Sequence, residues 1–292
     1  MNRLRFSKMH GLGNDYVYAE TRVGDEPVIG WPELARRVSD RRFGVGGDGL
    51  ILIGPPQSPG AHGSMRVYNA DGSEAEMCGN GLRCVGKYLH DRRHPGVEVL
   101  DVDTGAGRLA VRVVERDAKG RAALLEVRMG TPKLEAAKIP TTGRAGGKME
   151  KLRAGGRELE FVAVGMGNPH CVILVADVEK FPVTEIGPLI ENDLARFPKR
   201  VNVEFVQVLG RGAARQRTWE RGSGETLACG TGACAVAVAG QLWGKFDSEV
   251  LVHLRGGDLR IHWKGPGQEV LMRGGATWVC DGELAEEFFA PG

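Results

Sequence analysis

The sequence predicts a mixed α/β (α+β) fold in two pseudo-symmetric domains, each a strand-rich sheet wrapped around a central apolar helix. The chain has 292 residues, which suits two domains better than one. Strand-like runs dominate both halves, so repeated parallel βαβ units are disfavoured. Two motifs also recur in the same order: Gly-x-Gly-Asn at Asn14 and Asn168, and Cys-Gly-x-Gly at Cys78 and Cys229. Their similar offsets, 154 and 151 positions, indicate an internal duplication.

The first half opens with a strand-like segment, Leu4–Ala19, that is interrupted by the glycine-rich stretch His10–Asp15. Such a turn often places a polar side chain in a cleft, and Asn14 is the candidate here. Helical spacing of apolar residues follows over Pro32–Asp40, with the proline near the helix start. The other predicted strands of this half are Leu50–Gly54, Met65–Tyr68, Val97–Val102, Arg108–Val114 and Ala123–Met129.

The second half begins after a polar segment, Thr141–Glu158, that we expect to be a solvated connection or hairpin. A short helix is predicted near Glu185–Asp193. The predicted strands of this half are Phe161–Val175, Val201–Val208, a strand bearing Thr218–Arg221, Val250–Leu254, Leu259–Trp263, Val270–Arg273 and Ala276–Val279.

Composition argues against several classes of function. The net charge of +2 gives no basis for binding nucleic acid or an anionic membrane surface. The first ten residues lack the apolar core of a signal peptide, and no apolar run is long enough to span a membrane. Six cysteines without a secretion signal are expected to be reduced thiols, which places the protein in the cytoplasm.

Neither a metal nor a nucleotide cofactor is predicted. The spacings Cys-x5-Cys and Cys-x4-Cys fit no common zinc pattern. Residues Gly44–Gly49 match Gly-x-Gly-x-x-Gly, but this stretch follows a predicted helix and precedes a predicted strand. Dinucleotide-binding sites have the opposite order, so the match is weak.

Cys78 and Cys229 each precede an apolar helical run, so both thiols are expected at helix starts. The first N–H groups of a helix have no partner inside it, and together with the macrodipole they favour an anion. A thiol in that position is expected to have its pKa lowered from about 8.5, which makes the thiolate more available. Each helix start would then offer a proton-transfer group and a cradle for a carboxylate.

Plainer interpretations apply to several of these residues. Glu220-Arg221 could be a surface ion pair, and Asn14 and Asn168 could be turn residues that tolerate unusual backbone angles. His90 and His94 lie at a charged helix end and are expected to be solvated. A free cysteine is most often a small buried hydrophobe, and we interpret four of the six in this way: Cys84, Cys171, Cys234 and Cys280.

Taken together, the motifs resemble those of the diaminopimelate epimerase family. The matching stretches span nearly the whole chain in the family's order: Met9–Asp15, Asn69–Glu74, Cys78–Cys84, Gly167–His170, Val201–Val203 and Glu220–Thr231. The resemblance implies two α/β domains with the active site in the cleft between them. We expect the domains at residues 1–133 and 134–275, and the resemblance implies that 276–292 return to the first domain.

The resemblance also implies a cofactor-independent isomerase. It would invert one α-carbon of LL-2,6-diaminopimelate to give the meso isomer, a step towards lysine and peptidoglycan. Two cysteines, here Cys78 and Cys229, would act on opposite faces of that carbon as base and acid, and His170 and Glu220 match positions that assist them. A homodimer is the family's usual assembly. The positions that match its substrate-binding residues are Asn14, Asn69, Gly79, Asn80, Asn168, Asn202, Glu220, Arg221, Gly230 and Thr231.

One position departs from the pattern, and other functions stay open. Some family members have Gln where this chain has Gly49, so we leave Gly49 out of the binding set. The alternatives are a racemase of another amino acid on the same fold, a thiol redox protein that uses Cys78 and Cys229 as an exchangeable pair, and a binding protein for a dicarboxylic amino acid. The two intact Cys-Gly-x-Gly motifs argue against an isomerase that uses carboxylates.

Overall fold

The computed structural model describes residues 3–143 and 147–290. The chain divides into two compact units: unit 1, Met1–Val127 with Gly274–Gly292, and unit 2, Arg128–Arg273. Parts of the predicted regions lie outside the described residues, namely 1–2 and 291–292 of the predicted first domain and 144–146 of the predicted polar connection.

The regular elements, in chain order through the first half, are β1 (Leu4–Gly11), β2 (Asn14–Glu20), α1 (Trp31–Ser39), β3 (Gly49–Gly54), β4 (Gly63–Asn69), β5 (Glu74–Ala75), α2 (Gly79–Arg92), β6 (Val99–Thr104), β7 (Gly107–Arg116) and β8 (Ala122–Arg128). The second half contains β9 (Glu150–Ala154), β10 (Arg157–Gly165), β11 (Pro169–Leu174), α3 (Val183–Glu191), β12 (Asn202–Gly210), β13 (Ala213–Glu220), β14 (Gly224–Thr226), α4 (Gly230–Leu242), β15 (Glu249–Leu254), β16 (Gly257–Trp263), β17 (Val270–Gly275) and β18 (Thr277–Leu284). Short 3₁₀ turns lie at Ala136–Lys138 and Glu286–Phe289.

Unit 1 is a mixed sheet that contains both parallel and antiparallel strand pairs. The hairpin β1–β2 is followed by the parallel pair β2–β3, with α1 as the crossover. Antiparallel pairing of β3 with β4 then leads to the parallel pair β4–β6, with α2 as the crossover. The last strand, β18, pairs antiparallel with β1, with Leu4 opposite Leu284.

Unit 2 repeats this topology. The hairpin β10–β11 leads to the parallel pair β11–β12 with α3 as the crossover. Strand β12 pairs antiparallel with β13, and β13 pairs parallel with β15 with α4 as the crossover. The matching order of pairings agrees with the duplication that the two motifs predict.

The predicted mixed fold of strand-rich sheets around apolar helices is confirmed, but the argument against parallel βαβ units is wrong. Each unit contains two parallel strand pairs that are connected through a helix. The prediction assumed one crossover helix in each half, the long apolar one. The shorter helices α1 and α3 also serve as crossovers. A short amphipathic helix is enough to return the chain to a parallel neighbour.

Helix burial follows from the sequence pattern. Leu34, Ala35 and Val38 of α1 recur at helical spacing and are fully buried in the unit 1 core. Helix α4 carries the run Ala233–Gly240, which is apolar all round, and every residue of that run is buried. The position of its first turn is fixed by packing, because several strands of the sheet contact α4: β10, β11, β12, β15 and β16.

Two smaller expectations about burial are wrong. His90 is 2% exposed, and its Nδ1 lies 2.8 Å from Asp91 Oδ1, because strands β7 and β8 cover this end of α2. Cys280 lies on an exposed part of β18, whereas Cys84, Cys171 and Cys234 are buried as predicted. In the described part of the chain, no helix is both long enough and apolar enough to cross a membrane.

Candidate active site

Each unit presents one cysteine as the N-cap of its longest helix. Cys78 precedes α2 and Cys229 precedes α4, and both have extended backbones, with φ of −134° and −115°. Each sulfur accepts a hydrogen bond from the N–H of a following glycine, Gly81 at 3.4 Å and Gly232 at 3.3 Å. The two thiols therefore lie in equivalent local settings at the positive ends of helix dipoles.

The glycine three positions after each cysteine has no room for a side chain. A Cβ on Gly81 would lie 2.5 Å from Ile51 Cδ1, and a Cβ on Gly232 would lie 2.7 Å from Glu204 Oε1. Glycine at these positions lets the first helical turn approach the sheet and still direct an N–H at the sulfur.

In unit 1 the thiol belongs to a series of hydrogen-bonded polar groups. Cys78 Sγ lies 3.6 Å from Asn14 Oδ1, which also accepts a hydrogen bond from Asn80 Nδ2 at 3.2 Å. Asn14 Nδ2 in turn donates to Asp48 Oδ2 at 2.8 Å, and Arg83 donates to Asn80 Oδ1 at 2.9 Å. Both amides are thus held in place beside the sulfur at the start of α2.

Tyr16 and Gly49 lie next to these groups. Burial raises the pKa of the Tyr16 phenol well above its usual range, and the nearby charges of Cys78 and Asp48 act in the same direction. A Cβ on Gly49 would lie 2.1 Å from the Tyr68 carbonyl oxygen and 2.7 Å from the Tyr16 ring. The backbone here therefore accepts glycine and not the Gln of some relatives.

Asn69 lies one strand away, at the end of β4. Its amide donates to Ser73 Oγ at 3.0 Å, within the turn that leads to β5. This side chain therefore stabilises its own turn.

In unit 2 the thiol is buried beside carboxyl groups. Cys229 is 5% exposed, and its sulfur lies 3.5 Å from Thr231 Oγ1. Glu220, at the end of β13, accepts a short hydrogen bond from the Thr226 hydroxyl. Burial raises the pKa of the Glu220 carboxyl, and the charge of Glu204 raises it further.

The expectation of a lowered thiol pKa is wrong for Cys229. Burial raises the pKa of this thiol well above its usual range, and the carboxylates of Glu220 and Glu204 raise it further. The hydroxyl of Thr231 and the N–H of Gly232 favour the thiolate, but they do not compensate. Desolvation and like charge outweigh the helix dipole at this position.

His170 is held from both sides in the interior of unit 2. Its Nδ1 lies 2.8 Å from Glu204 Oε1, and its Nε2 lies 2.8 Å from Asn168 Oδ1. Neither the histidine nor Glu204 has any exposed side-chain surface. Asn168, which stands in the repeated Gly-x-Gly-Asn motif, therefore orients the ring and does not merely form a turn.

Asn202 links two segments that carry predicted binding residues. Its Nδ2 donates to the Pro169 carbonyl at 3.0 Å, and its Oδ1 accepts from the Arg221 N–H at 2.9 Å. The Arg221 guanidinium donates to the Lys199 carbonyl at 2.9 Å, and no ion pair joins it to Glu220 among the described residues. The suggestion that Glu220 and Arg221 form an ordinary surface ion pair therefore does not describe this structure.

The predicted residues thus fall into two clusters. In unit 1, Asn14, Asn80 and the Gly79 backbone surround Cys78, whereas Asn69 is bonded within its own turn. In unit 2, Glu220, Gly230 and Thr231 lie beside Cys229, Asn168 holds His170, and Asn202 holds the backbone of Arg221.

Sequence reasoning missed three residues that hold these clusters together: Asp48, Glu204 and Thr226. Glu204 had a signal that could have been used. It is an acidic residue between Val203 and Phe205 in the predicted strand Val201–Val208, and a charge in a buried strand needs a partner. Asp48 and Thr226 lie in a glycine-rich turn and a short strand, where no spacing points to their contacts.

A comparison of the sequence with those of known proteins finds a matching family. A family model for diaminopimelate epimerase matches residues 6–135 and 162–279. A diaminopimelate epimerase from Acetivibrio thermocellus is 47% identical to this chain, and the alignment covers 96% of this chain and 98% of that protein. Another, from Moorella thermoacetica, is 48% identical, and the alignment covers 96% of this chain and 99% of that protein.

Solved structures with lower sequence similarity share the fold. A hydroxyproline epimerase from Agrobacterium vitis, solved with bound trans-4-hydroxy-L-proline, is 16% identical with a TM-score of 0.69 and covers 97% of this chain and 93% of its own. A phenazine biosynthesis protein of the PhzF family from Bacillus anthracis is 14% identical with a TM-score of 0.69 and covers 97% and 99%.

Proposed function

The chain belongs to the diaminopimelate epimerase family, and we propose that it interconverts LL-2,6-diaminopimelate and meso-2,6-diaminopimelate without a cofactor. The observation that carries this proposal is the pair of cysteine-capped helix starts, one in each unit, with matching backbone and hydrogen-bond geometry. Inversion at carbon needs one group that removes a proton and a second that supplies one from the opposite face. Two equivalent thiols meet that requirement.

The difficult step is removal of the α-proton. It is far less acidic than a thiol, and each pKa unit of mismatch costs about 1.4 kcal/mol. A preorganised donor at a developing oxyanion contributes roughly 3–4 kcal/mol. The first-turn N–H groups at Gly79-Asn80 and Gly230-Thr231 would bind the carboxylate of the reacting centre and so stabilise the carbanion.

We assign the acid and base roles at rest from the surroundings of Cys229. Because burial and the carboxylates of Glu220 and Glu204 raise its pKa, Cys229 carries its proton in the free enzyme. Cys78 would then remove the α-proton as thiolate, and Cys229 would donate its proton to the opposite face. In the reverse direction the roles exchange, with His170 and Glu220 assisting.

Recognition of the substrate's charged groups follows from the chemistry of the neighbouring side chains. Arg221 is a planar donor suited to a carboxylate, and Glu220 is an acceptor suited to an ammonium group. The amides of Asn14, Asn69, Asn168 and Asn202 can serve either group. Such a set favours a substrate with a second charged amino-acid end.

The cellular setting is also part of the proposal. The reaction would supply meso-diaminopimelate for lysine and peptidoglycan synthesis. None of the six cysteines, all of which lie in the described part of the chain, forms a disulfide, and two must remain thiols for turnover. A cytoplasmic location would keep them reduced. The assembly we propose is the homodimer, with diaminopimelate as the small-molecule partner.

The test incubates reduced protein with LL-diaminopimelate in heavy water and follows the α-protons by NMR. Deuterium should enter one α-carbon as the meso isomer forms. Proline, trans-4-hydroxy-L-proline and glutamate serve as comparison substrates. Absence of exchange with diaminopimelate while the thiols are intact, or faster inversion of a comparison substrate, would overturn the proposal.

A further inference from the structure

Glu204 is a buried carboxylate that is not among the predicted site residues. It lies on β12, its side chain has no exposed surface, and its Oε1 is 2.8 Å from His170 Nδ1. Its Oε2 is buried without a hydrogen-bond partner among the described residues. A carboxylate in such a position is costly, because burial removes hydration that one hydrogen bond does not replace. An apolar residue would pack at this position with less cost.

The carboxylate stands next to the first turn of α4. The space that a Gly232 side chain would occupy is bounded by Glu204 Oε1 at 2.7 Å, Gln216 Nε2 at 3.0 Å and Cys229 Sγ at 3.2 Å. Gln216 in turn donates to Thr218 Oγ1 at 2.7 Å. Glu204 and the sulfur of Cys229 are therefore near neighbours, separated only by the glycine that the helix start requires.

The titratable groups around Glu204 come from three elements. Strand β11 contributes His170 and Cys171, β13 contributes Glu220, and α4 begins at Cys229. Burial raises the pKa of Cys171, Glu220 and Cys229, and the negative charge of Glu204 raises each of them further. Only His170 in this group can carry a positive charge, and its Nδ1 faces Glu204 directly.

We propose that Glu204 is a positioning residue that keeps Cys229 in its protonated form and fixes the His170 ring with Nε2 directed at Asn168. This inference rests on the proposed function, in which a protonated Cys229 is the acid. The proton starts on Cys229 Sγ and moves to the substrate carbanion, and the electron pair of the S–H bond stays on sulfur. Glu204 itself gains and loses no proton in this step.

Two variants separate the charge of Glu204 from its hydrogen bond. Glu204→Gln keeps an acceptor for His170 but removes the charge. Glu204→Asp keeps the charge but withdraws it by one methylene. Glu150→Gln is the matched control, because Glu150 is a largely buried carboxylate of the same unit that pairs with Arg196 at 2.9 Å.

The readout is the pH dependence of alkylation by iodoacetamide, which modifies thiolates, measured for each cysteine by peptide mass mapping. In the unaltered protein the midpoint for Cys229 should lie above that of Cys280, which is exposed. Glu204→Gln should move the Cys229 midpoint down by at least about one pH unit. Glu204→Asp and Glu150→Gln should leave it near the original value, and Cys280 should not respond in any variant.

The same shift should appear in the alkaline limb of kcat/KM for diaminopimelate, since that limb reports loss of the Cys229 proton. An unchanged Cys229 midpoint in Glu204→Gln would overturn the inference, and so would equal shifts in the Gln and Asp variants. If Glu204→Gln does not fold, a Cys229 midpoint below that of Cys280 in the unaltered protein would also overturn it. The alkylation profile needs no substrate, so its outcome is independent of whether diaminopimelate is turned over.

Discussion

At the scale of single residues, the two thiols share a backbone setting but differ in their electrostatic surroundings. Cys78 is next to amides, with Asn14 Oδ1 at 3.6 Å. Cys229 is next to carboxyl groups, and these raise its pKa together with burial. The two helix starts thus have the same backbone geometry, but their thiols have different electrostatic surroundings. This difference suits a reaction in which one thiol begins as base and the other as acid.

Removal of either thiol should stop the reaction. We expect Cys78→Ala and Cys229→Ala each to lower kcat for epimerisation by at least about 10²–10⁴-fold, because each removes one proton-transfer group. Circular dichroism should show an unchanged fold. Cys280→Ala, which removes an exposed thiol, is the control and should keep full activity. Appreciable epimerisation by either active-site variant would refute the two-thiol mechanism.

Glu220 should make the stability of the protein depend on pH. Its folded-state pKa is raised, so the native state holds this proton more tightly than the unfolded chain. The contribution to stability is therefore complete below about pH 4.3, the ordinary pKa of glutamate, and is lost as pH rises through the raised value. Glu220→Gln removes this dependence.

Urea unfolding of both proteins at several pH values measures the effect. The free energy of unfolding of the unaltered protein, relative to that of Glu220→Gln, should fall as pH rises from about 4 towards neutrality. A difference that stays constant, or that grows with pH, would show that the carboxyl is not destabilised by burial.

Prediction from sequence was strongest for residues whose neighbours in the chain define their setting. Cys78 and Cys229 could be placed at helix starts because glycines and an apolar run follow each of them. The raised pKa of Cys229 could not be foreseen, since burial is its main cause and tertiary packing also brings Glu220 and Glu204 beside the thiol. Local pattern determines the helix dipole but not the charges that tertiary packing brings beside it.

At the scale of secondary-structure elements, the proposed chemistry depends most on the first turns of α2 and α4. The turn must direct an N–H at sulfur while it packs against a strand, and glycine meets both conditions without displacing Ile51 or Glu204. The starts of these helices, directly after Cys78 and Cys229, were predicted correctly. Pairing between strands was not, because parallel neighbours such as β4 and β6 are separated by an entire helix in the sequence.

Gly232→Ala should damage the α4 start. Its Cβ would lie 2.7 Å from Glu204 Oε1 and 3.2 Å from Cys229 Sγ, so the thiol and the carboxylate must move apart. We expect kcat/KM to fall by about 10²-fold, the effect of misplacing a catalytic group by roughly 1 Å. Gly210→Ala is the matched control in the same unit, since a Cβ there meets no atom within 4 Å. Equal kcat/KM values for the two variants would contradict this role of Gly232.

At the scale of the whole molecule, the chain is a duplicated fold whose two copies share the order of helices and strand pairings. The repeated motifs predicted this duplication, because each motif occupies the same place in its unit. The order of strands in each sheet was beyond sequence reasoning, since it depends on which distant strands become neighbours.

Oxidation should reveal whether the two units bring their thiols together during the catalytic cycle. A mild oxidant should inactivate the enzyme by forming a disulfide between Cys78 and Cys229, because two groups that act on one carbon must approach each other closely. Peptide mapping should identify this link, and dithiothreitol should restore activity. Inactivation that reductant does not reverse, or a different disulfide, would count against the prediction.

The most direct test of the central claim measures where deuterium appears at low conversion of LL-diaminopimelate in heavy water. If one thiol removes the proton and a different thiol delivers the deuteron, the meso product should carry deuterium at the inverted carbon while unreacted substrate keeps its protium. Deuterium in the recovered LL-substrate at a level comparable with that in the product would mean that a single group serves both faces, and would contradict the two-thiol account.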